Sequence, residues 1–460
     1  SPNSRNRALI IFGILLTLIL MAGAFMRFRG LFWGEYQYLH PDERFMIWVG
    51  TDISPVQSFG EYWDSTTSSL NPHNRGHGFY VYGTLPLYIA RYAVEWVYGH
   101  SGFNEMTNVG RFLSAFADLL TVLFVYLIGA KAYDKRVGLL AASFSAFAVL
   151  QIQQSHFFTV DTFTVLFSMM AIYFAVSIAQ NRVKTTGAGL NSNPESLDAM
   201  DEGVGSVEIK KPNYINIFVN FIKSPDFLLA LGFGFALGLA ASSKVSAAPL
   251  AILLPGAFII RLSYMKPVDR YTFIWKVLGY LVVAGGISLV VFRVFQPMAF
   301  SGPGFFGLTP NPAWVGNLRE LQTQASGDVD FPPALQWARR PVWFAWSNMV
   351  RWGMGLPLGI LAWTGFLWAG FRMIRGEFRR HILLWGWTGF IFVWQSLIFN
   401  PSMRYQLLIY PTLAIFAAWA VIRLYDLGTK KHEEGNARNH VAADSVVDHK
   451  RVKKYNWLSI

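Results

Sequence analysis

The chain has 460 residues, 53% hydrophobic and 16% aromatic but only 14% charged, which excludes a string of soluble domains and indicates a polytopic membrane protein. The formal net charge of +12 does not indicate nucleic acid, because Lys and Arg gather between apolar segments and in the tail, where membrane topology places them. Cysteine is absent, so there is no disulfide framework and no thiolate metal site, and the redox compartment is not readable.

The first apolar run, about 7–28, is long enough to cross a bilayer, and no cleavable signal is evident in it. Residues 30–79 then form a long polar loop carrying Glu35, Asp42, Glu43, Asp52, Glu61, Asp64, His73 and His77. Residues 80–99 are apolar and aromatic but interrupted by Gly83, Pro86, Arg91 and Glu95, which suits either a span or a helix lying at the interface. Further apolar segments follow at about 108–130, 137–153, 157–179, 226–243, 245–262, 271–295, 342–371, 381–399 and 404–424. If 80–99 does not cross, one side of the membrane receives Lys131, Lys135, Arg136, Arg182, Lys184, Lys210, Lys211, Lys266, Arg270, the Arg372–Arg380 cluster and the basic tail. The positive-inside rule therefore favours an interfacial helix, ten spans and cytoplasmic termini.

The domain reading is a membrane module over 1–300, with a first outer loop at 30–106, followed by an extracytoplasmic loop at 301–341, membrane helices at 342–425 and a basic tail at 426–460. Residues 183–212 are rich in Gly, Ser, Asn and Asp and read as a mobile cytoplasmic loop. The tail is suited to lie on anionic lipid.

Four polar positions on the outer side need explaining. Pro41 can start a helix at its first position and puts Asp42 and Glu43 in the first turn, where acids favour the helix dipole by roughly 0.3–1 kcal/mol. The turn Gln151–His156 is followed by Asp161, which also reads as a plain helix cap. Lys244 sits between two apolar runs and also reads as a snorkelling side chain. Arg404–Tyr405 opens the last span, with the arginine against the positive-inside bias, which hints at an anionic partner. His73, His77 and His156 lack metal-ligand spacing. Carboxylates beside cations at membrane level suit transfer from a lipid-linked sugar phosphate. The cations hold the phosphate while a carboxylate deprotonates the acceptor hydroxyl, a step worth roughly 10²–10⁴-fold.

The stretch His40-Pro41-Asp42-Glu43 after the first span resembles the acidic signature of the GT-C superfamily of polyprenyl-phosphate-sugar-dependent glycosyltransferases. Within it, the pattern is most similar to family 39, with the protein O-mannosyltransferases and the lipid A aminoarabinose transferase. The similarity continues through Tyr82–Tyr88, Arg111-Phe112, Tyr133–Arg136, Val160-Asp161, Leu239–Lys244 and Met403–Pro411, in family order. It implies an all-α GT-C-type bundle of about ten transmembrane helices with a long first extracytoplasmic loop bearing juxtamembrane helices. It also implies Asp42 as the catalytic carboxylate with Glu43 beside it. Lys244, Arg404 and Tyr405 would bind donor phosphate, and Asp161, His77 and His156 would support the acceptor or a metal. Some relatives place an acid and a lysine where this chain reads Gly76–Tyr82, so a divalent metal ion is admitted but not required.

The expected activity is inverting sugar transfer from a polyprenyl-phosphate donor to a hydroxyl of a protein, lipid or glycan acceptor. The expected location is the extracytoplasmic face of a bacterial-type plasma membrane. Two alternatives stay open: a lipid-linked-sugar transporter or scramblase, and a non-catalytic membrane assembly subunit. Donor flipping without transfer would mark the first, and stable co-purification of a partner without donor binding the second.

Overall fold

The computed structural model describes residues 2–181, 214–327 and 335–429. The predicted loop 183–212 and the tail beyond residue 429 lie outside the described residues. In chain order the helices are α1 (Pro2–Phe28), α2 (Pro41–Asp52), α3 (Phe59–Trp63), α4 (Thr84–Tyr98), α5 (Phe103–Ala132), α6 (Lys135–Ala146), α7 (Val149–Ser155) and α8 (Val160–Ala179). They continue as α9 (Tyr214–Ile222), α10 (Pro225–Ser243), α11 (Leu253–Leu262), α12 (Pro267–Phe295), α13 (Pro312–Ser326), α14 (Phe344–Asn348), α15 (Leu356–Arg372) and α16 (Phe378–Leu397), then α17 (410–429). The one sheet among the described residues is an antiparallel pair, β1 (Phe300–Ser301) and β2 (Thr309–Pro310).

Among the described residues, eight helices are long and apolar enough to cross a membrane, or nine if the bent pair α6–α7 counts as one span. One of these is a 42-residue run, Leu356–Leu397, roughly 60 Å if straight and so twice a bilayer core. It is not straight: Gly376 has φ 101°, a conformation that glycine adopts without strain. Beyond it the chain folds back. Phe366 stacks on Trp385 at 5.0 Å and Trp363 meets Phe392 at 4.4 Å, the register of an antiparallel hairpin. Dividing this run in two brings the nine to the ten spans expected. The protein is an integral, multi-pass, all-α membrane protein.

Three segments differ from the sequence expectation. The span placed at 342–371 begins at Leu356, because Gly355 (φ 80°) separates it from α14 and a π-helical turn, Met349–Gly353. The span at 137–153 is bent by 59° between α6 and α7. The span at 245–262 opens as a 3-10 helix, Val245–Ile252, around Pro249, whose missing N–H breaks the α-helical ladder. The doubtful stretch 80–99 forms α4, whose 15 residues extend about 22 Å, too short to cross.

The chain divides into two compact units, each discontinuous. The first comprises residues 1–29, 125–153 and 339–460, and the second 30–124 and 154–338. In the first, α5 and α6 cross at glycines: a Cβ on Gly138 would lie 2.6 Å from the Tyr126 carbonyl oxygen. Buried Arg27 ties the end of α1 to the Ala146 carbonyl at 2.9 Å. In the second, α10 lies against α12 through Gly234 and Gly238, where a Cβ would meet Ala284 and Val291 within 3 Å. Small residues of this kind let two apolar helices approach closely without a hydrophobic drive between them. The core of this unit joins Met46, Ile47 and Val49 of α2, Leu87, Ala90 and Val94 of α4, Met106 of α5, and Phe158 and Phe163 beside and on α8.

Candidate active site

Local chemistry starts α2 where the sequence places it. His40 is the N-cap, its Nδ1 accepting the Glu43 N–H at 3.3 Å, and Pro41 occupies the first helical position. One turn therefore presents two neighbouring carboxylates with opposite fates. Asp42 is half-buried, whereas Glu43 is wholly buried. Glu43 receives both Nε and Nη2 of Arg111 from α5 at 2.7 Å, and its Oε1 also accepts the Phe158 N–H at 2.9 Å. Arg111 spends its remaining Nη1 on the carbonyls of Leu31 at 2.7 Å and Trp33 at 3.1 Å, with its guanidinium over the Trp33 ring. A buried charge is tolerated only when paired and hydrogen-bonded in this way. The clamp joins the loop after α1, the start of α2, the middle of α5 and the entry to α8. Glu43 was expected beside the chemistry; its geometry makes it the residue that holds Asp42's turn in place.

The second polar pair lies three residues beyond Phe158. Asp161, in the first turn of α8 and 6% exposed, accepts a hydrogen bond from Lys244 Nζ at 2.8 Å. Lys244 ends α10 in an extended conformation (φ −157°, ψ 119°), so it leaves the helix axis instead of continuing it. Its side chain keeps 29% of its surface. The end of α10 is itself pinned to the start of α4. Gly83 N–H donates to the Ser243 carbonyl at 3.0 Å, and a Cβ there would lie 2.0 Å from the Ser242 carbonyl oxygen. This close approach requires glycine. Thr84 N–H and Oγ1 donate to the Gln296 side chain at 2.6 and 2.9 Å, bringing in the end of α12. Phe45, one turn along α2 from Asp42, stacks on Tyr80 and meets Tyr82, the residues leading into Gly83. Asp42, Asp161 and Lys244 thus belong to one continuous frame in the second unit.

The histidines have other work. His77 Nε2 lies 2.8 Å from Asp52 Oδ2, 7% exposed, with its ring against Trp48 and Phe45. His156 contributes its carbonyl to Trp33 Nε1 at 3.3 Å, and its Nδ1 lies 3.4 Å from Ser155 Oγ. His73 meets the Asn317 amide at 2.8 Å, and burial pushes its pKa down, so the neutral ring accepts the amide N–H. Glu61 and Asp64, at α3, are structural acids. The hydrogen bonds of Ser69 hold Glu61 low, and those of Thr66 hold Asp64 low. Among the described residues no three His, Asp or Glu side chains gather as a metal site would need.

Arg404 and Tyr405 belong to the first unit, in a 3-10 turn, Met403–Ile409, capped by Ser402 Oγ, which accepts the Arg404 N–H at 3.3 Å. The Arg404 guanidinium lies over the Tyr405 ring. Arg111 was seen in the sequence only as part of a pattern. Its signal is an arginine inside a 30-residue apolar helix, a position costly enough to demand a buried acidic partner.

A profile of the family described as dolichyl-phosphate-mannose-protein mannosyltransferase matches residues 98–189, a stretch holding α5 to α8. No curated protein gives a significant match. Among solved structures, the archaeal oligosaccharyltransferase AglB from Archaeoglobus fulgidus, in complex with an inhibitory peptide and a dolichol-phosphate, aligns with 15% identity and a TM-score of 0.57, covering 93% of this chain and 52% of that one. The apo form of the A. fulgidus oligosaccharyltransferase aligns with 14% identity and a TM-score of 0.52 over the same shares. ArnT from Cupriavidus metallidurans in the apo state aligns with 16% identity over 85% of this chain and 60% of that one, at a TM-score of 0.43, too low to argue from. The chain spans about half the length of the oligosaccharyltransferases it matches, and identities this low speak for fold. The likeness to these oligosaccharyltransferases is one of fold, joined by the family-profile match over residues 98–189.

Proposed function

We propose that this protein transfers a sugar from a polyprenyl-phosphate donor to an acceptor hydroxyl on the extracytoplasmic face of a membrane, with inversion at the anomeric carbon. The observation that carries the reading is the half-exposed carboxylate of Asp42, held at a helix start by the buried Glu43–Arg111 clamp, in the same frame as the Asp161–Lys244 pair. Asp42 takes the proton of the acceptor hydroxyl as its oxygen attacks the anomeric carbon. The bond to the phosphate oxygen breaks on the opposite side, and polyprenyl phosphate leaves with the bonding pair. Lys244 meets the developing phosphate charge, and Asp161 holds that ammonium in place beforehand. The family resemblance alone assigns Arg404 and Tyr405 to donor phosphate. The donor class agrees with the dolichyl-phosphate-mannose of the family profile and the dolichol-phosphate bound to archaeal AglB. Cytoplasmic termini are the orientation that the basic segments favour, and a bacterial-type plasma membrane is proposed with it.

The test is turnover of purified wild type and Asp42→Asn with mannose, glucose and aminoarabinose polyprenyl-phosphate donors and a cell-derived acceptor extract. Wild type should release polyprenyl phosphate and label the acceptor, while Asp42→Asn binds donor without turning it over. Full activity of Asp42→Asn sinks the assignment.

A further inference from the structure

The first unit holds a second cation-lined site that the transfer reaction does not use. At the ends of α16 and α17 a cleft of about 260 Å³ opens between Arg380 and Arg423, over an apolar floor of Val137, Trp419 and Ile422. Two acids border it, Asp134 and Asp426, and Arg136 occupies both. It reaches Asp426 with Nη1 at 2.8 Å and Nη2 at 3.0 Å, and Asp134 with Nη2 at 3.2 Å. The nearby Glu377 is occupied too. Arg372 donates to its Oε1, and His381 Nε2 lies 3.3 Å from its Oε2. Arg380 and Arg423 come no nearer to that carboxylate than 4.0 and 3.9 Å, beyond hydrogen-bonding reach. Their side chains keep 41% and 30% of their surface. Arg379 beside Arg380, Arg375 before the Gly376 break, and Lys131 and Lys135 on the adjoining helix ends are exposed and add four further positive charges.

Two guanidinium groups facing one cleft, with the local carboxylates already engaged by other cations, suit an oxyanion with several acceptor oxygens, which arginine grips in paired N–H bonds. The apolar floor belongs to membrane helices, so the ligand that meets both surfaces carries a phosphate at the membrane boundary and hydrocarbon beside it. We propose that this cleft binds the phosphate of an anionic membrane phospholipid, with Arg380 and Arg423 as its ligands and Val137, Trp419 and Ile422 against the start of its acyl region. The site is independent of sugar transfer, and basic clefts between membrane helices are suited to such headgroups.

The full chain is exchanged into detergent containing phosphatidylglycerol or phosphatidylcholine, and retained lipid is counted by native mass spectrometry alongside thermal unfolding. Wild type should retain phosphatidylglycerol in preference, and Arg380→Gln/Arg423→Gln should lose roughly 30-fold of that preference, as two basic contacts warrant. Equal retention of the two lipids by wild type, or an unchanged preference in the double variant, overturns the site. Stabilisation by inorganic phosphate alone as strong as by phosphatidylglycerol overturns the lipid assignment. If the double variant does not fold, Arg423→Gln alone decides by the same preference, because its ionic contact to Glu377 is a long one, 3.9 Å.

Discussion

The second unit contains two carboxylate–cation pairs of nearly equal length and opposite character. Glu43–Arg111 is closed: 2.7 Å in two places, with side chains 0% and 2% exposed and every guanidinium nitrogen engaged. Asp161–Lys244 meets at 2.8 Å, and its lysine side chain is 29% exposed. A sealed pair of the first kind cannot exchange partners without leaving a buried charge, so it serves to hold geometry. An open ammonium on a flexible stem can turn from a carboxylate to an arriving phosphate at little cost. Length alone does not distinguish scaffold from working group; burial and the number of donors do.

The comparison can be broken by experiment, beginning with the turn that the closed pair supports. Asp42→Asn should lower turnover by roughly 10²–10⁴-fold while leaving the melting temperature and donor binding unchanged, measured as released polyprenyl phosphate and thermal unfolding. Arg111→Met should act the other way round. Stranding Glu43 in the core should cost about 3–5 kcal/mol, and Glu43→Leu/Arg111→Met should be less damaging than either single change, as a double-mutant cycle would report. If Arg111→Met keeps full stability, the clamp is not structural. Lys244→Gln should raise the donor KM and slow turnover by about 10²-fold, with a smaller loss of stability than Arg111→Met because this pair is less completely buried. A smaller effect is expected at Gly83, where alanine would force the ends of α4 and α10 apart and lower turnover without abolishing folding. A normal Gly83→Ala enzyme would show that this contact does not set the site's geometry.

The smallest effect belongs to pH. His73 has its pKa depressed by burial, so between the unfolded value of about 6.5 and the lower folded one the unfolded chain binds the proton first. Stability contributed by the His73–Asn317 contact is therefore complete above about pH 6.5 and lost as pH falls through that window. Hydrogen exchange in α13 should rise on acidification across it, and His73→Gln should remove the response.

Much of this molecule was readable in its sequence. Among the described residues the apolar runs coincide with the eight or nine candidate spans, Pro41 marks the start of α2, and the change from apolar run to Lys244 marks the end of α10. The errors were instructive. Gly355 cut one predicted span short, and Pro249 turned the start of another into a 3-10 helix. Both residues were visible, but apolar composition outweighed them. The candidate site residues stand out in the sequence as polar groups among apolar runs, but nothing in the chain order reveals that Glu43 meets Arg111 or that His77 meets Asp52.

What the sequence by itself determined was local: which runs can lie in lipid, where helices begin, and which side chains are too polar for their surroundings. These depend on residues within a turn or two, through capping, proline geometry and the cost of placing charge in hydrocarbon. Only the tertiary structure decided that Arg111 would close on Glu43, 68 residues away, and Lys244 on Asp161, 83 residues away. It also decided that His77 would meet Asp52 and that Gly83 would touch the backbone at Ser243. Those pairings follow from where packed helices leave their ends. Burial there then sorts otherwise similar carboxylates into one that supports and one that faces outward.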